Sequence, residues 1–145
     1  MSKLIIAIPR GRIIKELKPI LKKTSFAPEN EMFDDKSRKL TFLSKNKDIN
    51  FIKVRAFDAC TFVAFGAAQI GIAGEDVIKE FNYSEIYAPL ELNIGHCRLS
   101  VAALKTLLKK EDPETWSNIR VATKYPNISK EYFASKGIQV ESIKL

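Results

Sequence analysis

Short apolar runs alternate with amphipathic stretches along the whole chain, and this alternation constrains the fold more than any other feature. The opening run Leu4–Ile8 predicts a buried strand, and a Pro-Arg-Gly-Arg turn follows it at 9–12. The next apolar residues recur at helical spacing and predict a helix, although Pro19 should bend it or lower its stability. The apolar face of this helix is formed by Ile13, Ile14, Leu17, Ile20 and Leu21. Such an order of strands and helices is typical of an α/β fold.

The later runs continue the pattern. Strands are predicted over 39–44, 50–55, 69–73, 86–92, 98–103, 119–123 and 138–145, of which the first two form a hairpin. Helices are predicted from Asp58 to Phe65, from Gly74 onward, over 104–110 and from Asn127 to Ser135; Asp58 and Asn127 serve as N-caps, and Asp112-Pro113 ends the third. Because Gly95 interrupts the pattern, we expect a first α/β lobe over 1–94 and a partial second α/β lobe over 95–145.

Composition excludes several classes of protein. With 46% hydrophobic and 28% charged residues in 145, the chain can bury a core, so disorder is not its main state. No apolar run reaches the roughly 20 residues that a membrane span needs, and the N-terminus is too short for a signal peptide. Cys60 and Cys97 are too few for a disulfide framework and lack metal-ligand spacing. We therefore expect a soluble, cytoplasmic protein in a reducing environment.

The net charge of +7 suggests an anionic partner. The lysines are scattered, mostly on predicted solvated faces, whereas five arginines lie beside predicted strands or turns, where they could bind phosphate through two hydrogen bonds. These arginines are Arg10, Arg12, Arg38, Arg55 and Arg98. The aromatic residues fall mostly in apolar periodic positions and are not interleaved with basic residues on one face, so nucleic-acid binding is disfavoured.

Three places have features suited to a ligand, and each also has a plainer interpretation. The turn at 9–12 would combine helix N-terminal amides with two arginines in an anion cradle, or it is a basic surface turn. Arg38 and Arg55 could point to one side of the predicted hairpin, or they are exposed charges. The segment 71–77 could let a ligand approach its glycines, or it only ends a strand. The single histidine, His96, suits packing or solvent better than catalysis, and no catalytic triad or metal cluster can be assembled.

In their order along the chain, five blocks together resemble the catalytic-subunit family of ATP phosphoribosyltransferase, the first enzyme of histidine biosynthesis. Any single block is weak, and the ordered series is specific. The blocks are Ala7–Ile13, Ser37–Leu40, Val54–Asp58 with Gly66–Val77, Cys97–Leu99 and Val121–Asn127, and Lys136–Val140 follows at the expected distance.

The resemblance implies a two-lobed fold like that of periplasmic binding proteins, with the second lobe incomplete and the active site between lobes. It also implies transfer of phosphoribose from phosphoribosyl pyrophosphate to N1 of ATP, with Mg²⁺ assisting the departure of pyrophosphate. By the family match, Arg12 and Arg38 contact phosphates or the transition state. The substrate-binding residues implied by the match are Arg10, Gly11, Arg55, Gly74, Glu75, Cys97 and Arg98. Arg10 stands where the family often has lysine.

The resemblance further implies a homodimer of catalytic subunits and a regulatory subunit that resembles histidyl-tRNA synthetase. The family's phosphoribosyl-pyrophosphate loop would lie downstream of Leu145, so we expect the 145 residues to lack the main pyrophosphate contacts. The alternative is a catalytically inactive fragment, or a binding-protein-like domain that holds a small anionic ligand.

Overall fold

The computed structural model describes residues 3–110, 112 and 115–145. Helices and strands alternate, which confirms the predicted α/β class. In chain order the elements are β1 (Leu4–Pro9), α1 (Arg12–Lys22), a 3₁₀ helix (Asn30–Phe33), β2 (Thr41–Leu43), β3 (Ile49–Val54), α2 (Ala56–Ala64), β4 (Ile70–Gly71), α3 (Glu75–Phe81), α4 (Lys105–Leu108), β5 (Asn118–Thr123), α5 (Pro126–Ala134) and β6 (Gln139–Lys144). Within the described ranges, none of the helices has the length and apolar character that a membrane crossing requires.

The chain divides into two compact units, Met1–His96 and Cys97–Leu145. The division lies two residues after the lobe boundary expected from the sequence. Each unit has a sheet of its own.

The first unit contains a four-stranded sheet in the order β2-β3-β1-β4. Strand β1 is parallel to both β3 and β4, with Pro9 beside Val54 and Ala7 beside Gly71. Strand β2 pairs antiparallel with β3, which confirms the predicted hairpin. Because three strands run in the same direction, their carboxyl ends meet at one edge of the sheet. We call this edge, formed by residues 9–12, 54–56 and 71–75, the carboxyl edge.

The core of the first unit lies on both faces of β1. On one face Ile6 and Ile8 belong to a buried cluster with Ile14, Leu17 and Leu21 of α1. On the other face Ala7 belongs to a second cluster with Val54, Ala59 and Ala68. This alternation follows from the strand period of two. The predicted apolar face of α1 is thus confirmed at three positions, and the helix runs through Pro19 without ending.

The second unit contains a parallel pair, β5 and β6, connected through α5. Asn118 lies beside Gln139 and Thr123 beside Lys144, so the two strands pair along their full length. Phe133 of α5 is 4% exposed. The strands predicted over 119–123 and 138–145 are confirmed with small shifts at their ends.

The strands predicted over 86–92 and 98–103 are wrong. Neither segment forms a strand, and apolar side chains in them are open to solvent, with Tyr87 84% and Leu90 75% exposed. An extended segment becomes a strand only when a neighbouring backbone completes its hydrogen bonds, and no such neighbour is found among the residues that the structure describes. Apolar content alone therefore predicted too many strands.

Two predicted helix caps are also wrong. Helix α2 begins after Arg55, so Asp58 lies within its first turn, where its amide donates to the Arg55 carbonyl at 3.0 Å. Helix α5 begins at Pro126, so Asn127 is already helical. Proline at the first helical position has no amide to leave unpaired, which explains the earlier start. The predicted break at Asp112-Pro113 includes Pro113, which lies outside the described residues.

Candidate functional site

Three strand–turn–helix connections meet at the carboxyl edge. The N-cap residues are Gly11 for α1, Arg55 for α2 and Gly74 for α3, and in none of the three does a side chain cap the helix. Helix N-termini carry partial positive charge and amides that can bind an anion. Ligands of open parallel sheets bind beyond the carboxyl ends of the strands. Six of the predicted site residues lie at this edge: Arg10, Gly11, Arg12, Arg55, Gly74 and Glu75.

Arg10 and Arg55 follow neighbouring strands. The Arg10 amide donates to the Val54 carbonyl at 2.9 Å, so the two backbone segments remain paired as far as Val54, the residue before Arg55. Both arginines are exposed. Between Arg10 and the helix, Gly11 has φ +98°, a conformation that other residues rarely adopt. This turn therefore needs glycine for its backbone conformation.

Arg12 is held by a small cluster that we call the Gly95 latch, formed by Arg12, Glu16 and Gly95. The Arg12 guanidinium donates to the Gly95 carbonyl at 3.3 Å, and the Gly95 amide donates to the Glu16 carboxylate at 2.8 Å. Arg12 Nε and Glu16 Oε1 are 3.6 Å apart, and the Arg12 side chain is 63% exposed. The latch fixes Arg12 beside the first turn of α1 and leaves part of its guanidinium open to solvent.

Arg38 lies in a hydrogen-bonded segment just before β2. Ser37 Oγ donates to Glu31 Oε1 at 2.8 Å and accepts from the Lys39 amide at 3.2 Å. The last hydrogen bond between the hairpin strands runs from the Lys53 amide to the Leu40 carbonyl, at 2.7 Å. Arg38 precedes this pair by two residues, and Arg55 follows it by two. That their guanidinium groups share one side stays a prediction.

A cavity of about 110 Å³ opens beside the Arg10–Gly11 turn. It is lined by Arg10, Gly11, Ile14, Asp35, Ser37 and Lys53. Sequence reasoning missed Ser37 and Lys53 as site residues. The signal for Lys53 was a lysine within an otherwise apolar run, Phe51-Ile52-Lys53-Val54, which continues into Arg55.

A larger cavity of about 470 Å³ lies at the opposite edge, beside the end of β2 that pairs with the start of β3. It is lined by Lys22, Ala27, Pro28, Glu29, Asn30, Leu43, Ser44 and Lys45. Two of these residues, Leu43 and Ser44, were part of a predicted strand, and none of the eight was predicted to bind a ligand. We place the candidate site at the carboxyl edge, because the helix N-termini and the arginines converge there.

Glu75 lies at the start of α3, where a carboxylate is favourable next to the helix N-terminus. Its Oε1 is 2.7 Å from Lys79 Nζ, one turn along the same helix. The hydrogen bond to Glu75 raises the pKa of Lys79. The exposed Glu75 carboxylate is thus partly neutralised in the structure.

Cys97 and Arg98 belong to the second unit, in a segment without helix or strand, and both are exposed. His96, to which no role was assigned, is also exposed. Among the residues that the structure describes, no group of three or more His, Cys, Asp or Glu side chains could hold a metal ion.

Comparison with known proteins identifies the family. The family model described as "HisG: ATP phosphoribosyltransferase" matches residues 55–145. ATP phosphoribosyltransferase from Rhodospirillum rubrum is 54% identical over 144 residues, which cover 99% of this chain and 63% of the relative. The protein of that name from Paramagnetospirillum magneticum is 52% identical, with 99% of this chain and 66% of the relative covered.

A solved structure agrees with these matches. The ATP phosphoribosyl transferase (HisG:HisZ) complex from Thermotoga maritima contains a chain with a TM-score of 0.60 and 27% sequence identity to this one, covering 98% of this chain and 64% of that chain. The present chain thus spans a little under two thirds of the length of the first relatives that it matches. The matched family model covers more than half of the chain, and the chain belongs to the ATP phosphoribosyltransferase (HisG) family.

Proposed function

We propose that the chain carries a large part of the active site of an ATP phosphoribosyltransferase, which catalyses the first step of histidine biosynthesis. The substrates would be ATP and phosphoribosyl pyrophosphate, and the products N1-(5-phosphoribosyl)-ATP and pyrophosphate. The observation that carries the proposal is the convergence of arginines and helix N-termini at the carboxyl edge, in a chain of this family.

The chemistry is a displacement at the anomeric carbon of ribose. The lone pair of adenine N1 forms the new bond to C1′, while the bond from C1′ to the pyrophosphate oxygen breaks and pyrophosphate leaves with the electron pair. This step needs orientation of the two substrates and stabilisation of the charge on the leaving group. Adenine N1 carries no proton in neutral adenine, so the step needs no strong general base.

The described residues suit that requirement. Arg12 and Arg38 would bind phosphate oxygens and stabilise the charge that develops as pyrophosphate leaves. Arg10, Gly11, Arg55, Gly74 and Glu75 would line the substrate side of the carboxyl edge. Cys97 and Arg98 would add to the nucleotide-binding surface by the family resemblance.

Mg²⁺ would assist the departure of pyrophosphate by neutralising phosphate charge. Since the described residues offer no cluster of metal ligands, the ion fits best as one that arrives on the substrate phosphates and keeps most of its water. The chain's own residues would then bind the phosphate groups and set their orientation.

The proposal extends to architecture and partners. The two units would be the lobes of a fold like that of periplasmic binding proteins. The Thermotoga maritima structure is a HisG:HisZ complex, and by analogy this chain would bind a regulatory subunit that resembles histidyl-tRNA synthetase. Its catalytic subunits would form a homodimer in the cytoplasm.

Ligand-dependent thermal unfolding tests the proposal. A ligand that binds the folded chain stabilises it, by about 2.7 kcal/mol when the ligand concentration is 100 times Kd. The melting temperature therefore rises. We expect Mg²⁺ with ATP to raise the melting temperature, and a clear shift with phosphoribosyl pyrophosphate would mean that a working sugar-phosphate site is present. Product formation, followed by mass spectrometry with and without the regulatory subunit, separates catalysis from binding alone. No shift with either substrate and no product in either assay would refute the proposal.

A further inference from the structure

The lysine of β3 is an unusual feature of the first unit. Lys53 is 7% exposed although it carries a charge, and it stands between the buried residues Phe51 and Val54. Burial of an ammonium group is costly unless its charge and its donors are satisfied. The surroundings of Lys53 should therefore contain groups that accept its hydrogen bonds and balance its charge.

Among the described residues, the groups that contact the Lys53 ammonium are uncharged. Its Nζ donates to the Asp34 carbonyl at 3.2 Å and lies 5.2 Å from the centre of the Phe42 ring. An ammonium has three hydrogens to donate. Across residues 3–110, 112 and 115–145, no carboxylate lies within ion-pair distance of Lys53. The positive charge is thus held in place by the protein without being neutralised by it.

Lys53 also lines the cavity of about 110 Å³ beside the Arg10–Gly11 turn. Arg10 adds a second cation and Ser37 adds a hydroxyl group that can donate or accept. The one acidic residue in the lining is Asp35, whose carboxylate is 3.0 Å from the Lys15 ammonium. The lining therefore carries a net positive charge directed at a small polar space.

We propose that Lys53 is the buried cation of a subsite for one phosphate group, which it forms together with Arg10, Gly11 and Ser37. The volume is well below the roughly 300 Å³ at which pockets for whole small molecules begin, so the subsite takes a single charged group and no nucleoside. This inference rests on the proposed function for the identity of the phosphate, which belongs to a substrate or to the pyrophosphate product.

Calorimetric titration with inorganic pyrophosphate and, separately, with ATP tests the subsite. Lys53→Met keeps the length of the side chain and removes its charge, and we expect it to weaken one of the two ligands at least tenfold. Loss with pyrophosphate identifies the free pyrophosphate group as the occupant, whereas loss with ATP alone identifies the nucleotide phosphates. Lys53→Arg should retain at least half of the binding free energy that Lys53→Met loses.

Lys39→Met is the matched control, because Lys39 lies over the same Phe42 ring at 5.4 Å but does not line the cavity. It removes the same charge and should change either affinity less than threefold. Since Lys53 is buried, the melting temperature of each variant is recorded as well. Arg10→Gln changes an exposed side chain of the same lining and should also weaken binding, which keeps the test valid if Lys53→Met unfolds.

Three results would overturn the subsite: the wild-type chain binds neither ligand, Lys53→Met and Arg10→Gln bind both as wild type does, or Lys39→Met weakens binding as much as Lys53→Met. The fate of the proposed function is read independently from product formation. A chain that forms no product but loses pyrophosphate affinity through Lys53→Met has the subsite without the activity. If the wild-type chain forms product but Lys53→Met binds pyrophosphate and ATP with wild-type affinity, the activity is present without the subsite.

Discussion

The Arg10 amide donates a hydrogen bond to the Val54 carbonyl at 2.9 Å, one residue beyond the end of β1. This bond extends the parallel pairing of β1 and β3, so both strands reach the carboxyl edge side by side. From there the backbone after β1 turns through Gly11 into α1, and the backbone after β3 enters α2 directly after Arg55. Two arginines that are far apart in sequence thus reach one edge of the sheet through backbone geometry.

Substitution of Arg38 tests the role of the segment before β2. Arg38→Ala removes a guanidinium that would make charge-assisted hydrogen bonds to phosphate, each worth roughly 1.5–3 kcal/mol. We expect pyrophosphate affinity, measured by calorimetry, to fall about tenfold or more, since 1.4 kcal/mol corresponds to a factor of ten. The melting temperature should hardly change, because Arg38 is exposed. Arg120→Ala in the second unit, whose side chain is 74% exposed, is the control and should bind pyrophosphate as wild type does. Equal affinities of the two variants would remove Arg38 from the site.

The Gly95 latch gives a prediction about local stability. Glu16→Ala leaves the Gly95 amide without its acceptor, whereas Glu16→Gln keeps an oxygen at the same position. Loss of one such bond costs about 1 kcal/mol. Hydrogen exchange of the Gly95 amide, followed by NMR, should therefore speed up roughly fivefold in Glu16→Ala and much less in Glu16→Gln. If the two variants exchange at the same rate, Glu16 does not hold the latch through this bond.

The ion pair between Glu29 and Lys39 gives a pH dependence with a definite sign. Their Nζ and Oε1 atoms are 2.6 Å apart, and this hydrogen bond lowers the pKa of Glu29 and raises the pKa of Lys39. A carboxylate with a lowered pKa stabilises the folded state above its unfolded pKa and loses that contribution as the pH falls through its folded pKa. Below pH of about 4.3 the melting temperature should thus fall more steeply for wild type than for Glu29→Gln.

At alkaline pH the same ion pair loses its stabilising contribution as the pH rises, because Lys39 then gives up its charge. The raised pKa of Lys39 means that its contribution is present below the unfolded pKa and is lost as the pH rises through the folded pKa. Lys39→Met should therefore flatten the decline in melting temperature above pH of about 10. Parallel curves for wild type and both variants would show that the ion pair does not contribute.

The two cysteines should differ in reactivity. Both are free thiols; Cys60 is buried in α2, where desolvation raises its pKa, and Cys97 is exposed. The thiolate is the reactive form of cysteine. A thiol reagent such as dithionitrobenzoate should therefore modify Cys97 quickly in the native chain and Cys60 only when the chain unfolds. Cys97→Ser should abolish the fast phase. A fast phase that survives this substitution would place Cys60 within reach of solvent.

Pro19 provides a test of helix energetics. It lies inside α1, where proline lacks the amide that would donate to the carbonyl of Lys15 one turn earlier. Pro19 is exposed, so Pro19→Ala should leave no cavity and should raise the free energy of unfolding by about 1–3 kcal/mol. Urea unfolding followed by circular dichroism measures this change. A variant that is no more stable than wild type would mean that the helix accommodates proline without cost.

Much of the first unit could be predicted from residue patterns, because local chemistry determines it. The apolar run at Leu4–Ile8, the hairpin and the glycine before α3 all encode their structure within a few residues. The segments 86–92 and 98–103 could not be predicted in this way, since an apolar stretch becomes a strand only beside a partner edge. The start of α5 was predicted one residue too late, with Asn127 as its cap, whereas proline is favoured at the first helical position and the helix begins at Pro126.

The candidate site was predictable only where a motif marked it. Arg10, Gly11 and Arg12 stood in a recognisable turn, and Arg38 stood just before a predicted strand. Lys53 did not, because its importance depends on burial and on a cavity formed with residues far from it in sequence. The link between Arg12 and Gly95 is likewise a long-range contact, across 83 residues, that no local pattern reports.

Hydrogen–deuterium exchange of the whole chain, with and without Mg²⁺ and ATP, tests the central claim most directly. ATP should slow the exchange of amides at the carboxyl edge, within 10–12, 55–56 and 74–75, and in the segment 37–38 before β2. Protection confined to the opposite edge, in the cavity lined by Pro28, Glu29 and Leu43, would contradict the account.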